Sequence, residues 1–145
     1  MLTDYFRAPS VAAAQQQFTA HDGASPLDAF DGADLKNLDP TLILGQFVAL
    51  ATDRPFSVDL IETNLIWEGP SSEGPWVIVF DDQVRDTLAG VSADRLPALT
   101  EQWATIEEFH GQIEPPHLRA VAEQLMALAS RAREAGEPLF CWLSL

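Results

Sequence analysis

Basic residues are scarce in this chain. Lysine and arginine together number 8 against 22 acidic residues, which gives a formal net charge of −14, and Lys36 is the only lysine. Such a negative field repels DNA, RNA and anionic membranes, and it attracts basic proteins at rates that fall with salt. The composition therefore predicts no nucleic-acid partner and no membrane partner, and it favours a basic protein as the partner.

The acidic residues are concentrated rather than evenly spread. Residues 22–39, 59–73 and 101–114 each carry a net charge of −4. These stretches predict acidic patches on the surface. Acidity also keeps a protein soluble, so charge restricts the partners without identifying one.

Cysteine is nearly absent. Cys141 stands alone, so the chain forms no internal disulfide and no zinc cluster. Residues 1–7 lack the pattern of a signal peptide, and the longest apolar helical stretch, residues 41–51, is too short to span a bilayer. A cytoplasmic location is the resulting expectation.

Catalytic motifs are also missing. No glycine-rich segment lies between a strand and a helix, where a phosphate would bind. Cys141 lies within the apolar run 139–145, which predicts a buried, inert thiol. The acidic series Asp28, Asp31 and Asp34 does not have the spacing of a calcium loop. We therefore predict no cofactor and no catalytic residue, and the balance is against an enzyme.

Two glutamate and histidine pairs have metal-ligand spacing. Glu107 precedes His110 by three residues, and Glu114 precedes His117 likewise. Carboxylate-bridged metal sites use such pairs together with further glutamates from other helices. Those further ligands are not evident, so we predict no metal. The alternative that stays open is a small-molecule site or an enzyme with a cleft near His110 and His117.

The end of the chain is the most informative part for the fold. A helix starts at residues 114–116, is closed by Gly136 and is followed by the apolar run 139–145. Residues 76–80 and 139–145 are apolar on both faces, which is typical of inner strands with both sides covered. We predict a single α+β domain over residues 1–145. Its small mixed sheet has inner strands 76–80 and 139–145, covered by amphipathic helices that begin at Pro40 and Pro116.

The other elements follow from caps, periodicity and turn residues. The expectations are a strand over 1–7, a helix from Val11 capped by Ser10, an edge strand near 27–30, a strand over 58–67, a loop over 68–75, a helix from Asp81 or Asp82 to Gly90, and a helix from Pro97 to Gly111.

The loop 68–75 is the best candidate for a contact surface. It carries Glu68 and Glu73 and is flanked by Trp67 and Trp76, and aromatic residues bury a large area at low entropic cost on binding. The partner-binding residues that we predict are Trp67, Glu68, Glu73, Trp76, Glu107 and Glu108. Two alternatives stay open: the tryptophans pack inward as core, or the loop mediates self-association into a homo-oligomer.

Two resemblances follow from these segments. Residues 76–145 resemble the second half of the YfbM-like proteins, a bacterial family of unknown function, in the order strand, short helix, helix, long helix and terminal strand. The whole chain also resembles small uncharacterised acidic proteins of high-GC bacteria, at residues 4–7, 73–76 and 141–145. Neither resemblance implies any functional residue.

The sequence as a whole predicts a non-enzymatic protein-binding module with an acidic surface. Its partner is expected to be a basic protein, in the manner of an immunity protein or an antitoxin. This expectation rests on the clustered carboxylates and on the missing active-site pattern.

Overall fold

The chain folds into five strands and five α-helices over residues 1–145, all of which are described by a computed structural model. The strands are β1 (Leu2–Arg7), β2 (Gly32–Asp34), β3 (Thr63–Ser71), β4 (Gly74–Phe80) and β5 (Leu139–Ser144). The α-helices are α1 (Val11–Ala20), α2 (Leu42–Thr52), α3 (Asp82–Ala89), α4 (Leu96–Trp103) and α5 (Pro115–Ala135), with 3₁₀ turns at Pro26–Asp28 and Glu107–Phe109. The predicted α+β class is confirmed. None of these helices combines the length and the apolarity that crossing a membrane requires.

The strands form one sheet in the order β2-β1-β5-β4-β3. The two strands that the sequence places inside the sheet, β4 and β5, are indeed inner strands. All four pairings are antiparallel, so the prediction of a mixed sheet is wrong. The reason is that β1 and β4 run in the same direction but do not touch, because β5 lies between them and opposes both.

One face of the sheet carries the main core, which is built with α2, α3, α4 and α5. Tyr5, Phe80 and Cys141 from the sheet belong to the same buried cluster as residues of these helices. The indole Nε1 of Trp103 donates to the carbonyl of Ile43 at 2.9 Å and so joins α4 to α2. The two helices that the sequence predicts to cover the sheet, α2 and α5, both contribute residues to this cluster.

The opposite face carries a smaller core against α1, which we call the α1 core. Phe6, Val77 and Phe140 from the sheet pack there with Ala14 and Phe18 of α1. The sequence does not predict this cover, because α1 contains mainly alanine and glutamine and shows only a weak apolar stripe.

Several element boundaries differ from the sequence prediction. Residues near 27–30 form a 3₁₀ turn, and the edge strand lies later, at β2. The strand expected from Val58 begins only at Thr63, because a turn closed by the Leu60 N–H on the Ser57 carbonyl occupies the preceding segment. The helix from Leu96 ends at Trp103 rather than near Gly111, since Ile106 is extended (φ −64°, ψ 150°).

The predicted loop 68–75 is mostly strand. β3 continues to Ser71 and β4 begins at Gly74, so only two residues form the turn. Register shifts between Leu65 and Trp67 and between Glu68 and Ser71 let the hairpin accommodate Gly69 and Pro70. The prediction of a loop over residues 68–75 is therefore wrong.

Candidate protein-binding surface

The β3–β4 hairpin places Trp67 and Trp76, the two tryptophans predicted to contact a partner, on opposite faces of the sheet. Glu68 pairs with Trp76, and Trp76 pairs with Leu143, which packs against the main core. Trp67 pairs with Val77, which belongs to the α1 core. Because cross-strand partners project from the same face, Trp76 and Glu68 lie on the face of the main core and Trp67 lies on the other.

Trp67 is partly buried against α1. Its ring centroid lies 5.8 Å from that of Phe18, and its Nε1 donates to the Thr19 hydroxyl at 3.3 Å. Gly23 packs closely on the same indole. This side chain therefore helps to hold α1 on the sheet, and its predicted contact with a partner stays a prediction.

An apolar strip on the side of the main core is not fully covered by the helices. It consists of Leu65, Trp76, Ile78 and Leu143, which we call the open strip. Leu65 is 55% exposed, and the other three are half-buried. The pairings Leu65 with Ile78 and Trp76 with Leu143 make the four residues neighbours on three adjacent strands. Exposed apolar surface of this kind, with a polar rim, is typical of interaction sites.

Acidic residues border the open strip. Glu68 lies in the same row of the sheet as Trp76, and Glu73 lies in the hairpin turn, where its carbonyl accepts from the Leu145 N–H at 2.9 Å. Both glutamate side chains are exposed. Between Arg54 and Arg85 the chain has no basic residue; its acidic residues there are Asp59, Glu62, Glu68, Glu73, Asp81 and Asp82. Apart from Asp82, which pairs with Arg85, these carboxylates have no salt bridge to a sequence neighbour.

Few carboxylates are neutralised by ion pairs anywhere in the molecule. Only three basic side chains form salt bridges, and they engage four of the 22 acidic residues: Arg7 with Asp31 and Glu137, Arg85 with Asp82 and Asp86, and Arg131 with Asp31. Hydrogen bonds from Arg131, and then from Arg7, hold the pKa of Asp31 below its usual value. The remaining carboxylates have no basic partner, so the molecule presents a strongly negative field.

Glu107 and Glu108 lie apart from the hairpin, in the 3₁₀ turn after α4. Both are exposed. The Gln46 amide of α2 donates to Glu108 Oε2 at 2.8 Å, and this hydrogen bond lowers the pKa of Glu108. The structure thus brings Glu68, Glu73 and Trp76 to one part of the surface, whereas Glu107 and Glu108 belong to the helical layer.

His110 and His117 do not form a joint site. His110 is exposed and follows the 3₁₀ turn in a left-handed conformation (φ 51°), so it does not share a helix face with Glu107. His117 lines a groove of about 350 Å³ between α5 and the segment after β2, where Lys36 and Glu108 also lie. His110 does not line that groove. No three His, Cys, Asp or Glu side chains are arranged to hold a metal ion.

The buried titratable groups are structural. Cys141 is fully buried, which confirms the predicted burial, and burial raises the pKa of its thiol well above the usual value. Tyr5 is equally buried, and its hydroxyl donates to the Leu38 carbonyl at 2.7 Å. Neither group is available to a substrate.

Sequence reasoning misses three members of the open strip, Leu65, Ile78 and Leu143. It assigns Ile78 and Leu143 to inner strands with both faces covered. The alternation of the terminal run offers a signal for Leu143, because it shares a face with Leu139 and Cys141. No comparable signal exists for Leu65, since the register shift beside Ile66 decides which face each β3 residue occupies.

Comparison of the chain with protein-family models, with curated proteins and with solved structures gives no significant match. The resemblance to the YfbM-like family therefore stays a prediction. Any inference about function rests on the geometry and charge of the molecule itself.

Proposed function

We propose that this protein is a non-enzymatic binding module that engages a basic protein through the open strip, in the manner of an immunity protein or an antitoxin. The observation that carries the proposal is the apolar strip around Trp76 with Glu68 and Glu73 at its border. Apolar and aromatic residues supply most of the affinity of such interfaces, and rim charges select the partner and accelerate association.

Charge supports a basic partner over a second copy of the chain. A homodimer through the open strip would bring Glu68 and Glu73 of both copies together within a field set by a net charge of −14, and like charges across an interface oppose association. A partner with lysine and arginine around an apolar centre would instead gain from the same field. The free thiol of Cys141 suits a reducing compartment, so the proposal includes a cytoplasmic location.

A small-molecule site near His110 and His117 has weaker support. Of the two histidines only His117 lines the groove beside α5, and the groove is partly open to solvent. Binding sites for small molecules are usually concave and enclose most of their ligand. The open strip is therefore the better supported of the two surfaces.

The proposal is tested by capture experiments with charge variants. The parent protein and a Glu68→Gln/Glu73→Gln variant are immobilised and exposed to the same cell lysate at about 50 mM and about 500 mM salt, because screening differs strongly between these concentrations. We expect the parent to retain a basic protein at low salt only. Neutralising both rim charges should weaken retention about three- to tenfold, mainly through slower association.

Glu123→Gln/Glu134→Gln is the matched control. It removes the same charge from exposed positions of α5 and should leave capture nearly unchanged. If the two double variants weakened capture equally, the effect would come from the net charge of the protein and not from the position of Glu68 and Glu73. Retention that is insensitive to salt and to both variants would contradict a charge-selected partner.

A further inference from the structure

β3 is the longer of the two sheet edges. The other edge strand, β2, has only three residues and packs against α5 and the 3₁₀ turn Pro26–Asp28. β3 has nine residues and pairs with β4 alone. An uncovered edge strand carries N–H and C=O groups that a strand from another chain can pair with.

The register shows which groups of β3 point outward. The Asp81 N–H donates to the Glu62 carbonyl at 3.0 Å, which makes these two residues a hydrogen-bonded antiparallel pair. Such pairs alternate with non-hydrogen-bonded pairs. The pair of Asn64 with Val79 is therefore hydrogen-bonded, whereas Thr63 and Leu65 direct their N–H and C=O groups away from β4. The edge offers two donors and two acceptors.

Beyond Leu65 the edge is closed. The Gln15 amide of α1 donates to the Ile66 carbonyl at 2.9 Å, at the point where the register shifts. Further along, Pro70 has no N–H to offer to another strand. The segment Thr63–Leu65 itself contains neither lysine nor proline, the residues that commonly protect an edge from pairing. The uncovered edge is thus confined to one short segment next to the open strip.

Charge identifies the kind of strand that this edge would accept. Asp59, Glu62 and Glu68 flank the segment and are exposed, and cross-strand pairs favour opposite charges. Resting on the proposed function, we propose that the edge of β3 pairs with an extended segment of the partner that alternates apolar residues with lysine or arginine. The partner would then contribute a sixth strand to the sheet.

The test compares Leu65→Pro with Leu65→Ala. Both variants lack the leucine side chain, but only proline removes the outward N–H, and proline is tolerated where this N–H makes no ladder bond. The probe is a seven-residue peptide of alternating lysine and valine, with binding followed by NMR titration. Both variants lose the leucine side chain of the open strip, so we expect both to bind more weakly than the parent. The Leu65→Pro variant should bind about tenfold more weakly than the Leu65→Ala variant, as for one lost hydrogen bond.

Amide hydrogen exchange gives a second measurement that does not depend on a variant. In the complex of the parent protein with the peptide, the amides of Thr63 and Leu65 should exchange more slowly than in the free protein. Unchanged exchange at both amides would overturn strand addition, as would equal peptide affinity of the proline and alanine variants.

The edge pairing and the proposed function fail in different ways. Salt-sensitive capture of a basic protein that is equal in Leu65→Pro and Leu65→Ala would refute the edge inference and leave the proposed function intact. A second copy as occupant would appear in sedimentation as a dimer of the parent that Leu65→Pro converts to monomer, and this result would contradict a basic partner at the edge.

Discussion

At the scale of single residues, Asp4 is the one charged side chain that is buried. It is 6% exposed, and the Ser25 hydroxyl donates to its Oδ2 at 2.7 Å. Burial raises the pKa of Asp4, the hydrogen bond from Ser25 opposes this rise, and the nearby Asp34 adds to it. The ionised carboxylate is therefore disfavoured in the folded state, and it weakens the fold near neutral pH.

Asp4→Asn should increase the free energy of unfolding at pH 7 by about 1 kcal/mol, the usual size of a single-substitution effect, because burying a neutral amide costs less than burying an ionised carboxylate. The amide oxygen still accepts from Ser25, and no charge is buried. Because the folded pKa of Asp4 exceeds the unfolded one, the native state binds more protons, and the stability of the parent falls as pH rises through the folded pKa. Urea unfolding from about pH 4 upward measures this difference between variant and parent.

The advantage of Asp4→Asn should grow with pH and then level off above the folded pKa. Asp28→Asn is the control, because Asp28 is an exposed carboxylate in the same loop as Ser25, and it should give no such gain. An Asp4→Asn protein that is less stable than the parent at neutral pH would show that the carboxylate itself stabilises the loop.

At the scale of elements, Gly23 determines how α1 lies on the sheet. It has a left-handed conformation (φ +73°), and an added Cβ would lie 2.6 Å from Trp67 Cη2 and 2.9 Å from Pro75 Cγ. Its carbonyl accepts from the Trp142 Nε1 at 2.9 Å. Gly23, three residues after the end of α1, thus contacts β3, β4 and β5 together, at a separation that only glycine permits.

Gly23→Ala should lower the free energy of unfolding by about 3 kcal/mol, because backbone strain adds to overpacking against Trp67. Gly136→Ala separates the two causes: Gly136 has a similar φ of +66° but nothing within 4 Å of an added Cβ. The Gly136→Ala variant should lose only about 1 kcal/mol of its free energy of unfolding. Denaturant unfolding followed by tryptophan fluorescence provides both values, and equal losses would mean that the close packing of α1 on Trp67 adds nothing to stability.

The helix ends show what could be predicted from local sequence. The Ser10 hydroxyl accepts from the Ala13 N–H, the Asp81 carboxylate accepts from the Gln83 N–H, and Gly136 adopts the left-handed conformation that ends α5. Each of these features depends on neighbouring residues alone. The helices α1, α3 and α5 are therefore predicted within a few residues.

The sheet edges depend on contacts between residues far apart in the chain, and there the prediction is wrong. β2 forms where Asp34 meets Asp4 rather than near 27–30, and β3 starts late because its pairing with β4 begins at Thr63. For the candidate site, Glu68, Glu73 and Trp76 could be predicted from turn residues and charge. The opposite faces of the two tryptophans could not, because they follow from the register shift after Leu65.

At the scale of the whole molecule, β5 joins two halves that are not otherwise paired. It pairs with β1 on one side and with β4 on the other. Leu139 and Cys141 belong to the main core, and Phe140 and Trp142 belong to the α1 core. Without β5 the sheet would be reduced to the separate pairs β1–β2 and β3–β4, and two-stranded pairs are at best marginally stable in water.

Deletion of residues 139–145 should therefore abolish cooperative folding and give aggregated protein, because both cores lose their central strand. Deletion of Leu145 alone is the control: this residue is 70% exposed, and its loss removes one hydrogen bond to Glu73, at a cost of about 1 kcal/mol. Size-exclusion chromatography and thermal unfolding followed by circular dichroism distinguish the two shortened chains. If the chain without residues 139–145 remained monomeric and melted as cooperatively as the parent, a part of the sheet with its helices would be stable by itself, and β5 would not be the element on which both cores depend.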